Sequence, residues 1–533
     1  MRNKISFPAL LSVILILLSC NRVTRETAGT YSNPVLYADY SDPDVIRVGV
    51  TYIMVTSSFN CVPGLPVLQS HDLVSWQLIG HALNRLQPAE YFSEVRHGGG
   101  AWAPCIRYHN NEYFVYYPDP DHGIFMVKAK DPAGPWSEPL LVRKGRGMID
   151  PSPLWDDDGN AYLVYAFAGS RAGVKSMLMV SRMNPEGTIV SDSGVMVFDG
   201  HDANPAVEGP KFYKRNGYYY IFAPAGGVTN GWQLVLRSKS IYGPYEERVV
   251  LHQGKTTVNG PHQGAWVTTK SGEDWFIHFQ DKGAYGRIVH LQPMKWQDSW
   301  PVIGSDEDGD GTGEPVASFT RPDIPQSQPP VTLQVDDEFN GSTMGLQWQW
   351  PANPSLTWGY SSEAYGCFRL NCIPRPDTIN LWNVPNLFLQ KLPREEFYAS
   401  ASLKCSLKFD GEEAGMVVMG QDYQYISLKR SEGKLLLRVV RCREADKRSA
   451  EEVLFSEEVN SGKIFFRVKV ETGALCIFSY STDGRVFREA GEPFAARAGM
   501  WIGAKIGFFA LRDGFINDAG HADLDWFRTY KTK

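Results

Sequence analysis

Val207-Glu208-Gly209-Pro210-Lys211-Phe212-Tyr213-Lys214-Arg215-Asn216-Gly217-Tyr218-Tyr219-Tyr220-Ile221-Phe222 is the stretch whose reading decides the fold. Apolar and aromatic positions flank Asn216-Gly217, and the tolerance of both residues for positive φ suits a tight β-hairpin turn. One carboxylate, Glu208, stands just ahead of the first predicted strand. Gly209-Pro210 follows it directly, which leaves it no turn-forming or capping role.

The same plan recurs four more times: a polar residue near a proline, an outgoing strand, a turn, and a returning strand that opens on an aromatic. Ser41-Asp42-Pro43-Asp44 leads to Tyr52-Ile53-Met54-Val55, and Trp102-Ala103-Pro104-Cys105 leads to Tyr113-Phe114-Val115-Tyr116. Ile149-Asp150-Pro151-Ser152 leads to Tyr162-Leu163-Val164-Tyr165, and Gly260-Pro261-His262-Gln263 leads to Trp275-Phe276-Ile277-His278. Outer strands are signalled by Trp76-Gln77-Leu78-Ile79, Gly134-Pro135-Trp136-Ser137, Gly243-Pro244-Tyr245-Glu246 and Trp300-Pro301-Val302-Ile303. Four short strands per unit, repeated at intervals of roughly 45–60 residues with little helical periodicity, predict an all-β chain that opens with a five-bladed β-propeller. A β-sandwich would also supply many short strands, but not a polar residue at the head of every unit.

The chain of 533 residues is too long for one core. Aromatic content of 13%, with 15 Trp and 25 Tyr, favours β structure and contacts to planar ligands or sugars. A net charge of −6 gives no reason to expect a nucleic-acid partner. At the start, Arg2 and Lys4 precede an apolar run, residues 7–18, that is too short to span a bilayer comfortably and has the layout of an export signal. Leu17-Leu18-Ser19-Cys20 resembles a bacterial lipobox, so residues 1–20 are expected to be a lipoprotein signal peptide with Cys20 as the lipidated residue. That places the protein, exported and lipid-anchored, in a bacterial cell envelope; the plainer reading is a secretory peptide with an incidental cysteine. The other seven cysteines are irregularly spaced, without a CxxC zinc pattern, and are expected as buried free thiols. Cys367 and Cys372 are left open as an exception.

Residues 21–320 are assigned to the propeller. Near their end, Ser305–Glu314 has part of the spacing of a calcium loop, but its twelfth position is Ala317 rather than a bidentate Glu, so an acidic surface loop is expected. The Pro-rich run that begins at Arg321 makes 321–335 a linker. Alternating segments such as Phe397–Leu403, Lys463–Val470 and Ala522–Phe527 then predict a second domain, 336–533, as a two-sheet β-sandwich.

In a propeller the first strand of each blade lines the axis, so its head faces the mouth of the funnel. Asp42, Asp150 and Glu208 would converge there. Converging carboxylates repel one another and push their pKa values apart, which lets one act as base and another as acid. An inverting glycosidase needs two such groups about 6.5–9.5 Å apart. Asp-Pro is also an ordinary turn-former, but three acids at equivalent places point to catalysis. Asp156-Asp157-Asp158, in contrast, reads as a solvated hairpin tip far from the axis. Trp102 and Phe59 are expected to wall a sugar subsite, with blade packing as the alternative. Arg287 offers a fork of donors to a polyol, or an ion pair to one of the carboxylates. His262 is either a satisfied core histidine or a metal ligand.

Asn33-Pro34-Val35-Leu36 with Ser41-Asp42-Pro43-Asp44, Trp102-Ala103-Pro104, Ile149-Asp150-Pro151-Ser152 and Glu208-Gly209-Pro210 resembles glycoside hydrolase family 43. So does Tyr285-Gly286-Arg287 leading to Leu291-Gln292-Pro293-Met294-Lys295-Trp296. The C-terminal part is similar to the concanavalin-like sandwich of the xylosidase and arabinofuranosidase branch. The resemblance implies inversion, with Asp42 as general base, Glu208 as general acid and Asp150 tuning and orienting that acid. It implies Arg287 on sugar hydroxyls and His262 on the axis beside a hydrated calcium or sodium ion, with no cofactor needed for the chemistry. The implied activity is exo-acting release of a terminal pentose from plant cell-wall oligosaccharides or polysaccharides, α-L-arabinofuranosidase first, β-xylosidase or a bifunctional enzyme second. A glycan-binding lipoprotein without catalysis is the rival class; the three carboxylates argue against it. The sandwich as a separate carbohydrate-binding module is a third.

Overall fold

The computed structural model describes residues 29–324, 331–376 and 379–532. The export segment with Cys20 and residues 325–330 of the Pro-rich run lie outside them. Five four-stranded antiparallel sheets follow one another in sequence order, each paired first to second to third to fourth. Their innermost strands are Asp44–Val48, Cys105–His109, Met148–Trp155, Lys211–Arg215 and His262–Thr268. This is a five-bladed β-propeller, and its mouth lies at the heads of those strands. The opening hairpin forms as expected: Arg215 pairs with Tyr218, and φ of 50° at Asn216 and 75° at Gly217 turns the chain between them. Gly134-Pro135-Trp136 and Gly243-Pro244-Tyr245 are not strands themselves. They make the turns ahead of the outer strands Leu140–Lys144 and Glu246–Leu251.

The ring is sealed by a clasp. Thr30–Ser32 pairs antiparallel with Ser318–Thr320. Asn33 donates through Nδ2 to the carbonyls of Leu291 and Val316, both at 2.8 Å, and accepts the Leu291 N–H at 2.9 Å. Tyr31, Leu36, Val45, Met54, Val267, Ile277 and Val289 then form one core shared by the first and last blades. Burial of this apolar surface between neighbours is what holds a ring whose blades make few backbone bonds to one another.

One open alternative is closed and one expectation corrected. All seven described cysteines are buried and free, so Cys367 and Cys372 are not bridged; Cys372 lies past the strand that Cys367 opens, and its N–H is tied to the Gly520 carbonyl. Nor is the hairpin tip wholly solvated. Asp156 is buried because the next blade supplies partners, the Lys214 ammonium and, at 2.6 Å, the Tyr219 hydroxyl, while Asp157 stays exposed.

From residue 336 the chain forms a sandwich of two sheets. One is centred on Phe397–Ser406 and His521–Tyr530, the other on Glu413–Met419 and Lys505–Arg512. Trp348, Phe368, Phe388, Phe508 and Phe527 fill the space between them, with Phe368 stacked on Phe388 at 4.3 Å. Tyr285 and Ile288 of the propeller belong to the same cluster. Val62 and Trp350 exchange backbone hydrogen bonds of 2.8 and 2.7 Å across the seam, and Asn353 bonds both backbone groups of Leu86. The two domains share one continuous core.

Asn33→Ala removes three partly buried hydrogen bonds of the clasp and takes the side-chain partner from two carbonyls and an amide. A loss of about 2–3 kcal/mol is expected, visible as a lower urea midpoint with secondary structure unchanged below it.

Candidate active site

The residue before the inner-strand proline takes a left-handed conformation in four of the five blades: Asp42 (φ 55°), Asp150 (56°), Gly209 (58°) and Gly260 (45°). Aspartate is among the few non-glycine residues that tolerate this region. The kink turns its side chain into the mouth instead of along the sheet. Glu208 therefore stands one residue ahead of the place held by the two aspartates, and glycine occupies the kink itself. Two residues beyond each kink a buried polar side chain faces the axis: Asp44, Ser152, Lys211 and His262.

The structure brings all three predicted carboxylates together. Asp42 and Asp150 are buried, and the Glu208 side chain is 30% exposed. Asp42 accepts a hydrogen bond from the Ser57 hydroxyl through Oδ2 and faces the Arg287 guanidinium through Oδ1 at 3.6 Å. Asp150 Oδ2 accepts the Gly209 N–H at 2.8 Å and lies 3.3 Å from Gln263 Nε2. Burial pushes the Asp150 carboxyl up to about 8, with the charges of Glu208 and then Asp42 adding to the rise; the Gly209 N–H and Lys211 pull it down. At neutral pH the Asp150 carboxyl thus keeps its proton.

His262 is fully buried, and its Nε2 lies 2.9 Å from Glu208 Oε1. It meets the predicted acid rather than the open pocket, so direct contact with substrate is not its position. With the proton on Nε2, the buried Nδ1 has no partner, and Gln263 Oε1 has none either. One imidazole nitrogen and one amide oxygen fit a hydrated cation on the axis; they fall short of the six to eight oxygens of a protein-built calcium cage. Among the described residues the three-acid cluster is Asp306, Asp308 and Asp310 on the surface loop. Its carboxylates serve their own backbone, Asp306 taking the Gly309 and Gly311 N–H groups and Asp310 that of Thr312.

Phe59 (φ 51°) is 3% exposed and lies 6.0 Å from the Trp102 ring, with Arg287 5.7 Å above it. It is the floor beneath Arg287. Trp102 is partly open and anchored by Nε1 to the Gly98 carbonyl at 3.1 Å. Trp501, from the sandwich, completes the wall at 6.4 Å from Trp102 and 5.9 Å from Arg287. With Arg287, Gln421 and Met500 it lines an open cavity of about 360 Å³. Sequence reasoning missed Trp501, Ser57 and Gln263. Gln263 stood beside a recognised motif; Trp501 lies in an irregular loop with no local signal.

These features agree with what the chain resembles. Residues 31–301 match the profile of glycosyl hydrolases family 43. The chain belongs to that family. Residues 336–530 match the β-xylosidase C-terminal concanavalin A-like domain, so the sandwich is concanavalin-like. A candidate β-xylosidase of Xylanibacter ruminicola is 39% identical over 90% of this chain and 86% of its own length. A non-reducing-end α-L-arabinofuranosidase of Bacteroides ovatus is 30% identical over 93% of this chain and 94% of its own. Among solved structures, the BlXynB protein of Bacillus licheniformis superposes with a TM-score of 0.82 at 27% identity, covering 95% of this chain and all of that one.

The raised carboxyl has a stability consequence. Asp150 is protonated in the fold and ionised in the unfolded chain between its ordinary range and about 8. Its contribution is therefore complete below pH about 4 and lost as pH rises to about 8. Asp150→Asn is expected to abolish that slope, so chemical denaturation at pH 5 and pH 8 should differ less in the variant than in the wild type.

Proposed function

We propose that this family 43 enzyme is an exo-acting, inverting pentosidase on plant cell-wall glycans, with β-xylosides ahead of α-L-arabinofuranosides. The observation that supports the chemistry is the meeting of three carboxyl groups at one mouth, with the Asp150 carboxyl raised by burial and by the charges of Glu208 and Asp42. Asp42 takes a proton from water as the water oxygen attacks the anomeric carbon. Glu208 delivers its proton to the glycosidic oxygen, the bond to the leaving group breaks, and one water is added across it. Asp150 holds the backbone after Glu208 through the Gly209 N–H and so orients the acid. Arg287 and Trp102 bind the sugar. The Trp501 loop closes one side of the mouth, which favours a chain end over a threaded polymer.

The order of the two sugars is reversed from the expectation based on sequence alone. The relatives support the change: beside the Xylanibacter ruminicola protein, a β-xylosidase of Formosa agariphila is 32% identical over 94% of this chain. The arabinofuranoside reading keeps the support of the Bacteroides ovatus relative. No cofactor enters the chemistry, and a hydrated calcium or sodium ion beside His262 would add positive charge to the buried axis. The chain is exported and anchored through lipidated Cys20; in this reading Cys20→Ser releases the protein from envelope membranes.

Aryl β-xyloside is expected to be hydrolysed faster than aryl α-arabinofuranoside, and proton NMR should show the α anomer of xylose first. Arabinofuranoside turnover alone would reverse the order. Glu208→Gln should lower kcat by about 10²–10⁴-fold, and azide should restore turnover to Asp42→Ala. Asp150→Asn removes the carboxyl held up to about 8, so an inflection of the kcat/KM profile near that pH in the wild type should be absent from the variant. Residues 1–330 expressed alone should be insoluble or inactive; an active fragment would make the sandwich an appended binder.

A further inference from the structure

Asp39 is buried, 4% exposed, and takes no part in the acid–base steps. Its Oδ1 accepts the Arg287 N–H at 2.9 Å and the Ser41 hydroxyl at 3.1 Å, and its Oδ2 accepts the Gly503 N–H at 2.9 Å. One carboxylate thus joins the turn before Asp42, the strand that begins at Arg287, and the sandwich loop that carries Trp501. The backbones are pressed together around it. Gly286 has φ 74°, and a Cβ there would lie 2.4 Å from Asp39 Oδ1. A Cβ on Gly503 would lie 2.8 Å from the Gly286 nitrogen. The Ala504 N–H donates to the Ala284 carbonyl at 2.7 Å, extending the weld. Trp501 lies two residues from this contact, at φ 64° and half exposed, so its indole is placed by backbone anchorage more than by packing.

We propose that Asp39 is a positioning residue that sets the width of the sugar pocket, by holding the propeller's Arg287 and the sandwich's Trp501 in one register. Its carboxylate oxygens are taken up by protein donors. This rests on the function proposed above, in which Arg287 and Trp102 bind the sugar and the Trp501 loop closes one side of the mouth. The carboxylate suits the task because it accepts several backbone and hydroxyl donors at once without a donor of its own. In Asp39→Asn the amide can still accept on the Arg287 side, but it meets the Gly503 N–H donor to donor, which drives the Trp501 loop outward. The defect belongs in binding. Loss of contacts equal in ground and transition states raises KM and spares kcat, whereas an effect relayed through Asp42 would lower kcat.

The test is a double-mutant cycle of Asp39→Asn and Trp501→Ala, read as kcat and KM on whichever aryl glycoside of a panel the wild type hydrolyses fastest. Each single variant is expected to raise KM about tenfold, and the double variant to be within about twofold of the worse single, because both remove the same placement. Additive effects, about a hundredfold in the double variant, or a fall in kcat at unchanged KM, would overturn the proposal. Should Asp39→Asn not be recovered folded, Asp39→Glu replaces it in the cycle, since it keeps the charge and lone pairs but shifts them by one methylene. A hexoside at the head of the panel would sink the pentoside reading while leaving the cycle fully readable.

Discussion

Like charges held together at the head of the propeller axis are the constraint on which the rest of the molecule depends. Asp42, Asp150 and Glu208 would separate if the chain let them, and burial makes their mutual repulsion stronger than in water. The fold answers with fixed donors: Ser57 and Arg287 on Asp42, the Gly209 N–H and Gln263 on Asp150, His262 on Glu208. Each donor comes from a different segment than its acceptor, or from a neighbouring blade. The carboxylates are therefore stable only in the closed ring, and the clasp at Tyr31 and Asn33 contributes to the chemistry although it touches none of the reacting groups.

The sandwich enters the same constraint from the side. Its core is continuous with the propeller through Tyr285 and Ile288, and the Tyr285 hydroxyl donates to the Glu395 carbonyl and accepts the Ala474 N–H. Tyr285 is also two residues from Arg287. A shift of the sandwich would therefore reach the guanidinium that faces Asp42 through a short, stiff stretch of backbone. The arrangement joins two domains that each bury a hydrophobic core into one catalytic body, and gives a physical reason for keeping the second domain in an enzyme whose acids all lie in the first.

The legible parts of the sequence were those with local causes. Alternating aromatics and Asn-Gly or Gly turns marked the blade hairpins, and a proline one or two residues after each acid marked the heads of the inner strands. The sequence spells out the one-residue offset of Glu208 from the aspartates, but not its meaning, a left-handed kink that glycine rather than glutamate occupies. Asp156 was misjudged for a related reason: its partners Lys214 and Tyr219 belong to the next blade, and hairpin position alone suggested solvent. His262 carried the right signal, a polar residue at a strand head, but only its burial showed that it reaches Glu208 and not the pocket.

Sequence alone thus determined the five-fold repeat, the sandwich that follows it, and which three carboxylates would meet, because each depends on residues close together in the chain. Tertiary structure decided which of those acids is held up at about 8, what partners the others, and that Trp501 and Asp39 belong to the site. Those outcomes rest on contacts between segments hundreds of positions apart, Asp39 with Gly503 above all, and no local pattern encodes a distance that only closure of the ring and docking of the second domain create.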